Sequence, residues 1–458
     1  MHEPGLEDPA QSRLLLQILV SKSKNWRLPA GVYKLLVFIA PALVAGYWLH
    51  AFMSSKTSRR QKRIGMCPSM LFALGATLLL DFFCTDQYQP SMPDMADDFQ
   101  VSKVHLGATI QVHLFTSAIF MLIFGPLSDS IGRRPVILAC QALLATSTLC
   151  CGCAETYPWF IVGRIFQGMA AAATPVVLST VPDCYADMAE RLRYQGSMAV
   201  LMQLGPLTAP AAGGFLADAF GWRCPFYLLS GLSCCLLLFS SVVVEESAPP
   251  TVDVNYGACA RRTLLHRCRC LILIACLFIK SFFDGMAASN GIMLRRDLHL
   301  SLRQTSICIT LIAASGMLGS YIPSWLPWGP RSCLVASMGP LLLSAACLAF
   351  SASRSNSLGW YMAATCFAEL VIWTPYVCSL CQFTEGIEEI AGSASSLLTA
   401  LSFLGSSLAS LVVVVLAQGG VFNFLLSLAV TLLLVALSIW LGPLRCAISL
   451  RADVDAVK

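Results

Sequence analysis

Seven ionisable side chains stand inside stretches that are otherwise apolar: Asp81, Asp86, His113, Arg164, Lys280, Asp284 and Glu369. An ionisable group at that depth in a membrane is costly and marks an ion or substrate pathway by default. Asp86 lies toward the end of its apolar run, beside Phe82, Phe83 and Tyr88. Partial burial there would bring its charged and neutral forms close enough in energy for a proton to exchange. Asp81 falls about 140° around a helix from Asp86, so the two are not expected to share a site. Lys280 and Asp284 have the four-residue spacing of an internal ion pair. Glu369 has Trp373 one turn later and Tyr376 beyond, an acid beside aromatic surface that suits an organic cation. His113 reads as a packing residue first and a proton carrier second, and each aromatic ring has core packing as its plain alternative.

The elements that must position these groups follow from composition. Of 458 residues, 57% are hydrophobic and 12% charged, with a mean hydropathy of +0.71. A soluble chain carries about a quarter charged residues, so lipid rather than water covers most of this one. A net charge of +5 is accounted for by membrane flanks, and nucleic-acid binding is excluded as a main activity. Most of the 21 cysteines lie in apolar runs (Cys140, Cys150, Cys151, Cys234, Cys235, Cys276, Cys366), where they act as small hydrophobes. Cys268-Arg-Cys270 and Cys151-Gly-Cys153 lack metal-ligand spacing, so no metal is expected, and no cofactor either.

A spanning helix needs about 20 apolar residues. Twelve such runs follow one another, near 66–88, 105–127, 135–154, 158–180, 194–217, 223–244, 269–292, 303–324, 332–351, 358–381, 394–416 and 421–443. The longest polar gap, 245–268, falls between the sixth and seventh. The expected class is an all-α polytopic membrane protein of two six-helix bundles, 66–244 and 269–443, with a cytoplasmic linker at 245–268 and a cytoplasmic tail at 444–458. Placing the start of the first span inside puts 17 Lys and Arg on cytoplasmic segments and 6 on outer loops, as the positive-inside rule requires. The N-terminal extension 1–65 holds one more apolar segment, about 32–53. It reads as a thirteenth span, a signal- or transit-like element, or an interfacial helix.

Between the second and third runs stands Gly125-Pro126-Leu127-Ser128-Asp129-Ser130-Ile131-Gly132-Arg133-Arg134. Gly125 would admit a neighbouring backbone, and Asp129 would accept hydrogen bonds from the positive end of another helix. Gly132 would make a tight turn, and Arg133 and Arg134 would hold the loop at an anionic inner surface. In the fourth run, Arg164 and Gln167 share a helical face ahead of Gly168. The fifth run carries Gly196, Gly205, Ala209-Pro210 and Gly213-Gly214, glycines for a close crossing and a proline for a bend. Ser315, Gly316, Gly319 and Ser320 of the eighth offer it a partner surface.

These strings resemble the signatures of the major facilitator superfamily. The loop is similar to its G-x-L-(S/A)-D-(R/K)-x-G-(R/K)-(R/K), with Ser130 in place of a basic residue, and Arg164 to Gly168 resembles its R-x-x-Q-G. The fifth run is similar to the pattern its antiporters carry, with Ala209 replacing a glycine. Thr85-Asp86-Gln87-Tyr88-Gln89-Pro90-Ser91-Met92-Pro93 resembles the T-D-x-Y-x-P-x-x-P of the bicyclomycin-resistance (Bcr/CflA) type of drug–proton antiporter. Ala391 to Leu397 is similar to that group's A-G-T-A-S-A-L, and Trp222-Arg223 also fits. Pro182 before Asp183, and the acidic loop Glu385, Glu388, Glu389, depart from the group's pattern.

The resemblance implies a secondary transporter, not an enzyme, that exports small amphipathic organic compounds against protons by alternating access. Facilitated uptake or exchange of a metabolite, and a non-transporting receptor or scaffold, are the alternatives. The expected coupling residues are Asp86 and Arg164, and the expected substrate contacts are Tyr88, His113, Gln167, Asp284, Glu369, Trp373 and Tyr376. The expected gating set is Gly125, Asp129, Gly132, Arg133, Arg134, Gly205, Pro210, Gly213 and Gly214. A monomer in the plasma membrane, with an organelle membrane as the alternative, completes the expectation.

Overall fold

A computed structural model of the chain describes residues 67–184, 188–247, 267–325, 330–354, 357–384 and 391–441. The apolar segment 32–53, most of the linker, the acidic loop at 385–389 and the tail lie outside these. Every regular element among the described residues is helical, as it must be where lipid leaves no water to satisfy backbone groups. They are α1 (Pro68–Asp86), a 3-10 turn (Gln89–Ser91), α2 (Met92–Phe99), α3 (Lys103–Ile131), α4 (Arg133–Cys153), α5 (Tyr157–Ala171), α6 (Thr174–Cys184), α7 (Met188–Phe220) and α8 (Cys224–Val243). After the linker come α9 (Arg267–Arg296), α10 (Leu302–Trp325), α11 (Pro330–Ala352), α12 (Leu358–Thr384), α13 (Ala391–Leu416), a 3-10 turn (Ala417–Gly419) and α14 (Val421–Ile439).

Among the described residues, ten spans are long and apolar enough to cross a membrane. The two remaining long helices, α7 and α10, coincide with the fifth and eighth runs and pack against each other. Large apolar side chains face outward all over the molecule, among them Val242 at 82% exposure, Leu238 at 69% and Phe72 at 62%. In water so much apolar surface would drive aggregation; in a bilayer it is the solvated face. This is a multi-pass membrane protein.

The helices before the linker pack among themselves, α1 on α7, α4 on α8 and α5 on α3 and α4. Those after it do the same, α10 and α11 on α12, α9 on α13 and α11 on α14. The two groups meet chiefly through α3 with α13 and α7 with α10. One span is discontinuous. Between α5 and α6 the chain tightens at Ala172 and Ala173, whose amides bond the carbonyls three residues back. Pro175, which has no amide hydrogen, follows two residues later.

Candidate functional site

Arg164 enters the first helix group from α5 and is fully buried. Its Nη1 donates to the Cys84 carbonyl of α1 at 3.2 Å and to Gln167 Oε1 at 2.6 Å. Gln167 in turn donates to Thr148 Oγ1 at 2.9 Å. The guanidinium lies 4.9 Å from the centre of the Tyr88 ring, and that ring is anchored by a 2.8 Å hydrogen bond between its hydroxyl and Thr109. Nε and Nη2 of Arg164 have no partner, and among the described residues no carboxylate pairs with it. A buried cation left that way is expensive to hold. Gly168 lets α5 come this close, because a Cβ there would overlap the His113 carbonyl of α3. Tyr88 and Gln167 therefore orient Arg164 inside the bundle: Tyr88 packs against Phe160 and Phe226 with no exposed surface.

Asp86, also buried, accepts a 2.7 Å hydrogen bond from Gln89. It lies within electrostatic reach of Arg164 on its own side and of Lys280 and Asp284 on α9 across the junction. Lys280 Nζ stands 3.6 Å from Asp284 Oδ1, the pair its spacing predicts, and 4.4 Å from the centre of the Phe403 ring on α13. The other Asp284 oxygen accepts from Ser406 at 2.7 Å. The Asp284 backbone carbonyl accepts from Gln111 of α3, which also donates to Ser410. Glu369 on α12 is buried, interacts with Lys280, and has the Trp373 indole against its carboxylate. Trp373 stacks obliquely on Phe283 with centroids 4.4 Å apart and meets Tyr376 edge-on at 5.6 Å. One cation thus faces three acids at the junction, with three rings adjoining.

His113 is packed away from this set. Its Nε2 lies 3.3 Å from Thr85 Oγ1 and its Nδ1 has no partner. Asp81, on another face of α1, accepts from Thr174 at 2.9 Å. A ligand atom of each of Asp81, Cys84 and His113 lies within 4.8 Å of the others. Sequence spacing does not reveal that cluster, because His113 lies 29 residues beyond Cys84 on a different helix.

The loop between α3 and α4 turns on Gly132 alone, at φ +110°. That is a conformation glycine adopts without penalty. Asp129 pairs with Arg133 one turn later, and Arg133 Nε reaches Asp183 at the end of α6 at 3.1 Å. Burial pushes the Asp183 carboxyl up from its ordinary range, and Arg133 partly reverses that. The acid that serves a helix N-terminus is Glu246, beyond α8, which accepts from the Arg133 amide at 2.7 Å and the Arg134 amide at 3.3 Å. The sequence reading gave that kind of role to Asp129 and passed over Glu246. Its only signal was two acids directly after an apolar run. Arg134 also ties to the Ser241 carbonyl at 2.8 Å. Gly125 has open space where a Cβ would stand, so the close approach expected there is not made in this arrangement.

The α7 glycines do make close approaches. A Cβ on Gly205 would meet Phe82, one on Gly213 would overlap the Gln87 carbonyl just after α1, and one on Gly214 would overlap Ser306 of α10. Pro210 lies within α7. Gly316 and Gly319 face α12 instead, against Trp373 and the Leu370 carbonyl, so they are not the partner surface for α7 that their spacing suggested. Two ion pairs join the helix groups at this end: Arg295 with Asp94 at 2.5 Å and Arg303 with Asp218 at 2.7 Å.

Asp129→Asn removes one arm of the Arg133 network. A partly exposed ion pair is worth up to about 1 kcal/mol, so the balance between conformers should move by no more than about five-fold. Slower flux at unchanged expression is expected in a transport assay. Wild-type flux at every pH would remove Asp129 from the gate.

Residues 71–410 match the Major Facilitator Superfamily. The chain belongs to that superfamily. It is 28% identical over 272 residues to an uncharacterised MFS-type transporter, YceJ, of Bacillus subtilis (strain 168). That match covers 57% of this chain and 66% of the relative, so the chain spans slightly under two thirds of its length. It is 25% identical over 281 residues to the multidrug resistance protein MdtL of Escherichia coli O45:K1, covering 60% of this chain and 71% of that one. Among solved structures, a D-xylose-proton symporter superposes with a TM-score of 0.66 at 14% identity, covering 81% of this chain and 97% of its own. That similarity concerns the fold. Members of this superfamily are transporters rather than enzymes, and their cargo is small molecules moved across a membrane.

Proposed function

We propose that this superfamily member is a proton-coupled antiporter of the bicyclomycin-resistance type, exporting small amphipathic organic compounds across a plasma membrane as a monomer. The observation that carries the reading is the gathering of Asp86, Lys280, Asp284 and Glu369 at the junction of the two helix groups, beside Phe283, Trp373 and Tyr376. The Thr85–Pro93 string and the multidrug relative support the drug–proton subgroup.

Asp86 is the group that loads and unloads the proton. With its proton lost it becomes the anion that the free N–H groups of Arg164 lack, and this gives deprotonation a conformational consequence. In the present arrangement the Asp94–Arg295 and Asp218–Arg303 pairs close the outer end. The alternate state breaks them and makes new contacts at the Gly125–Arg134 loop, where Gly125 has open space here.

Lys280 is neutralised by Asp284, which leaves Glu369, and Asp86 until it turns to Arg164, to set the sign of the junction. Lipophilic cations and neutral amphipaths are therefore preferred over anions, with Trp373 and Tyr376 supplying stacking surface. Competition with matched cationic, neutral and anionic aromatic compounds tests this. The cation should compete roughly ten-fold better than the anion, about 1.4 kcal/mol. Stronger inhibition by the anion, relieved in Lys280→Gln, would show that the bases line the site instead.

A further inference from the structure

We infer that Asp81, Cys84 and His113 form a binding site for a borderline or soft divalent cation, of which Zn²⁺ is the type, inside the first helix group. The three side chains come from α1 and α3 and offer one carboxylate oxygen, one thiol sulfur and one imidazole nitrogen, all within 4.8 Å of one another. This mixed donor set is one that Zn²⁺ and its congeners take, whereas Mg²⁺ and Ca²⁺ take oxygen alone.

What separates this cluster from ordinary packing is how its atoms are satisfied. Asp81 is held at Oδ2 by the Thr174 hydroxyl, while Oδ1 is buried without a partner. His113 is held at Nε2 by Thr85, while Nδ1, on a side chain only 2% exposed, is likewise without a partner. Cys84 Sγ has only a 4.0 Å contact with Thr85. Buried polar atoms are rarely left unmade. A ligating His or carboxylate typically has its second atom fixed by an outer hydrogen bond, which is the arrangement Thr85 and Thr174 provide.

Ligand atoms of a tetrahedral zinc ion stand roughly 3.3–3.5 Å apart, given bonds of about 2.0–2.3 Å. A set already within 4.8 Å closes on the ion by small side-chain rotations. Asp81 is partly exposed while the other two are buried. Three protein ligands leave the fourth position to water or a nearby hydroxyl.

Charge is the main opposing factor. Arg164 acts electrostatically on Asp81, Cys84 and His113 alike, and Asp86 also acts on Cys84. The Asp81 carboxylate and the thiolate formed at Cys84 together cancel the charge of a dication, so the occupied site is neutral beside Arg164. The thiol proton must leave on binding, so affinity falls as the pH falls.

The test is spectroscopic and does not depend on transport. Purified full-length protein is titrated with Co²⁺ alone, and absorption is followed for a sulfur-to-cobalt charge-transfer band and tetrahedral ligand-field bands. The wild type should show them, with Zn²⁺ abolishing them by displacement. Cys84→Ser should lose the sulfur band, and Asp81→Asn and His113→Gln should each weaken binding roughly ten-fold or more. Size-exclusion and thermal-unfolding profiles identify any variant that has misfolded, and the two remaining substitutions then decide. A spectrum absent from the wild type, or unchanged in the folded variants because other cysteines produce it, overturns the proposal.

Discussion

Asp86→Asn should erase substrate accumulation driven by pH while leaving the substrate bound. In the wild type each exchanged proton carries about 1.4 kcal/mol per pH unit, enough for about a ten-fold substrate gradient. The variant has no proton to lose at this position, so the ratio should fall to unity. Binding should change far less. The asparagine carbonyl can still accept from Gln89, now at 2.7 Å from the carboxylate, and one net hydrogen bond is worth about 0.5–1.5 kcal/mol. Equilibrium binding and gradient-driven uptake in the same preparation separate the two quantities. Retained accumulation would move the coupling role to Asp284 or Glu369, which share the same junction.

Arg164→Met should stop coupled transport with little change in stability. A side chain that held the fold together would behave otherwise. The substitution removes a buried guanidinium with two unpartnered nitrogens, a change that is often neutral or stabilising by about 1–4 kcal/mol. It also strips a donor from the Cys84 carbonyl and from Gln167 Oε1, which keeps a 3.5 Å contact with the Cys151 thiol; an acceptor left unsatisfied costs about 1–3 kcal/mol. The two contributions nearly offset. Flux should fall at least a hundred-fold, about 2.7 kcal/mol, while the thermal midpoint in detergent moves only a few degrees. A collapse in the midpoint, with residual flux in the surviving folded fraction, would make Arg164 a structural residue.

Among the described residues the order of the helices was legible because lipid makes length and apolarity strong signals, and ten of the twelve runs meet both. Which way each helix faces was not. Val242 and Leu238 point outward while Leu236 is buried, yet all are apolar, so the polar–apolar contrast that marks a face in a soluble helix is missing. That is why Gly316 and Gly319 were read toward α7 when they pack on α12, and why Gly125 was given a neighbour it lacks here. Polar residues were more informative. The Lys280–Asp284 pair follows from helical spacing alone, and the Arg164–Gln167 contact joins two residues on one face. Contacts between distant segments stayed hidden: Glu246 on the amides of α4, and the Asp81–Cys84–His113 cluster. No local pattern encodes them, because they arise only when the helices pack.

The most direct measurement of proton antiport follows substrate and protons together. Full-length protein is reconstituted in proteoliposomes with a pH gradient and the membrane potential clamped at zero. The substrate is a quaternary aromatic ammonium, whose fixed charge prevents pH partitioning, and an entrapped dye reports pH. Antiport predicts that the compound accumulates on the acidic side while the pH gradient dissipates in step, and that both effects vanish in Asp86→Asn. Equilibration of the compound without proton movement, or its accumulation on the alkaline side, would contradict it.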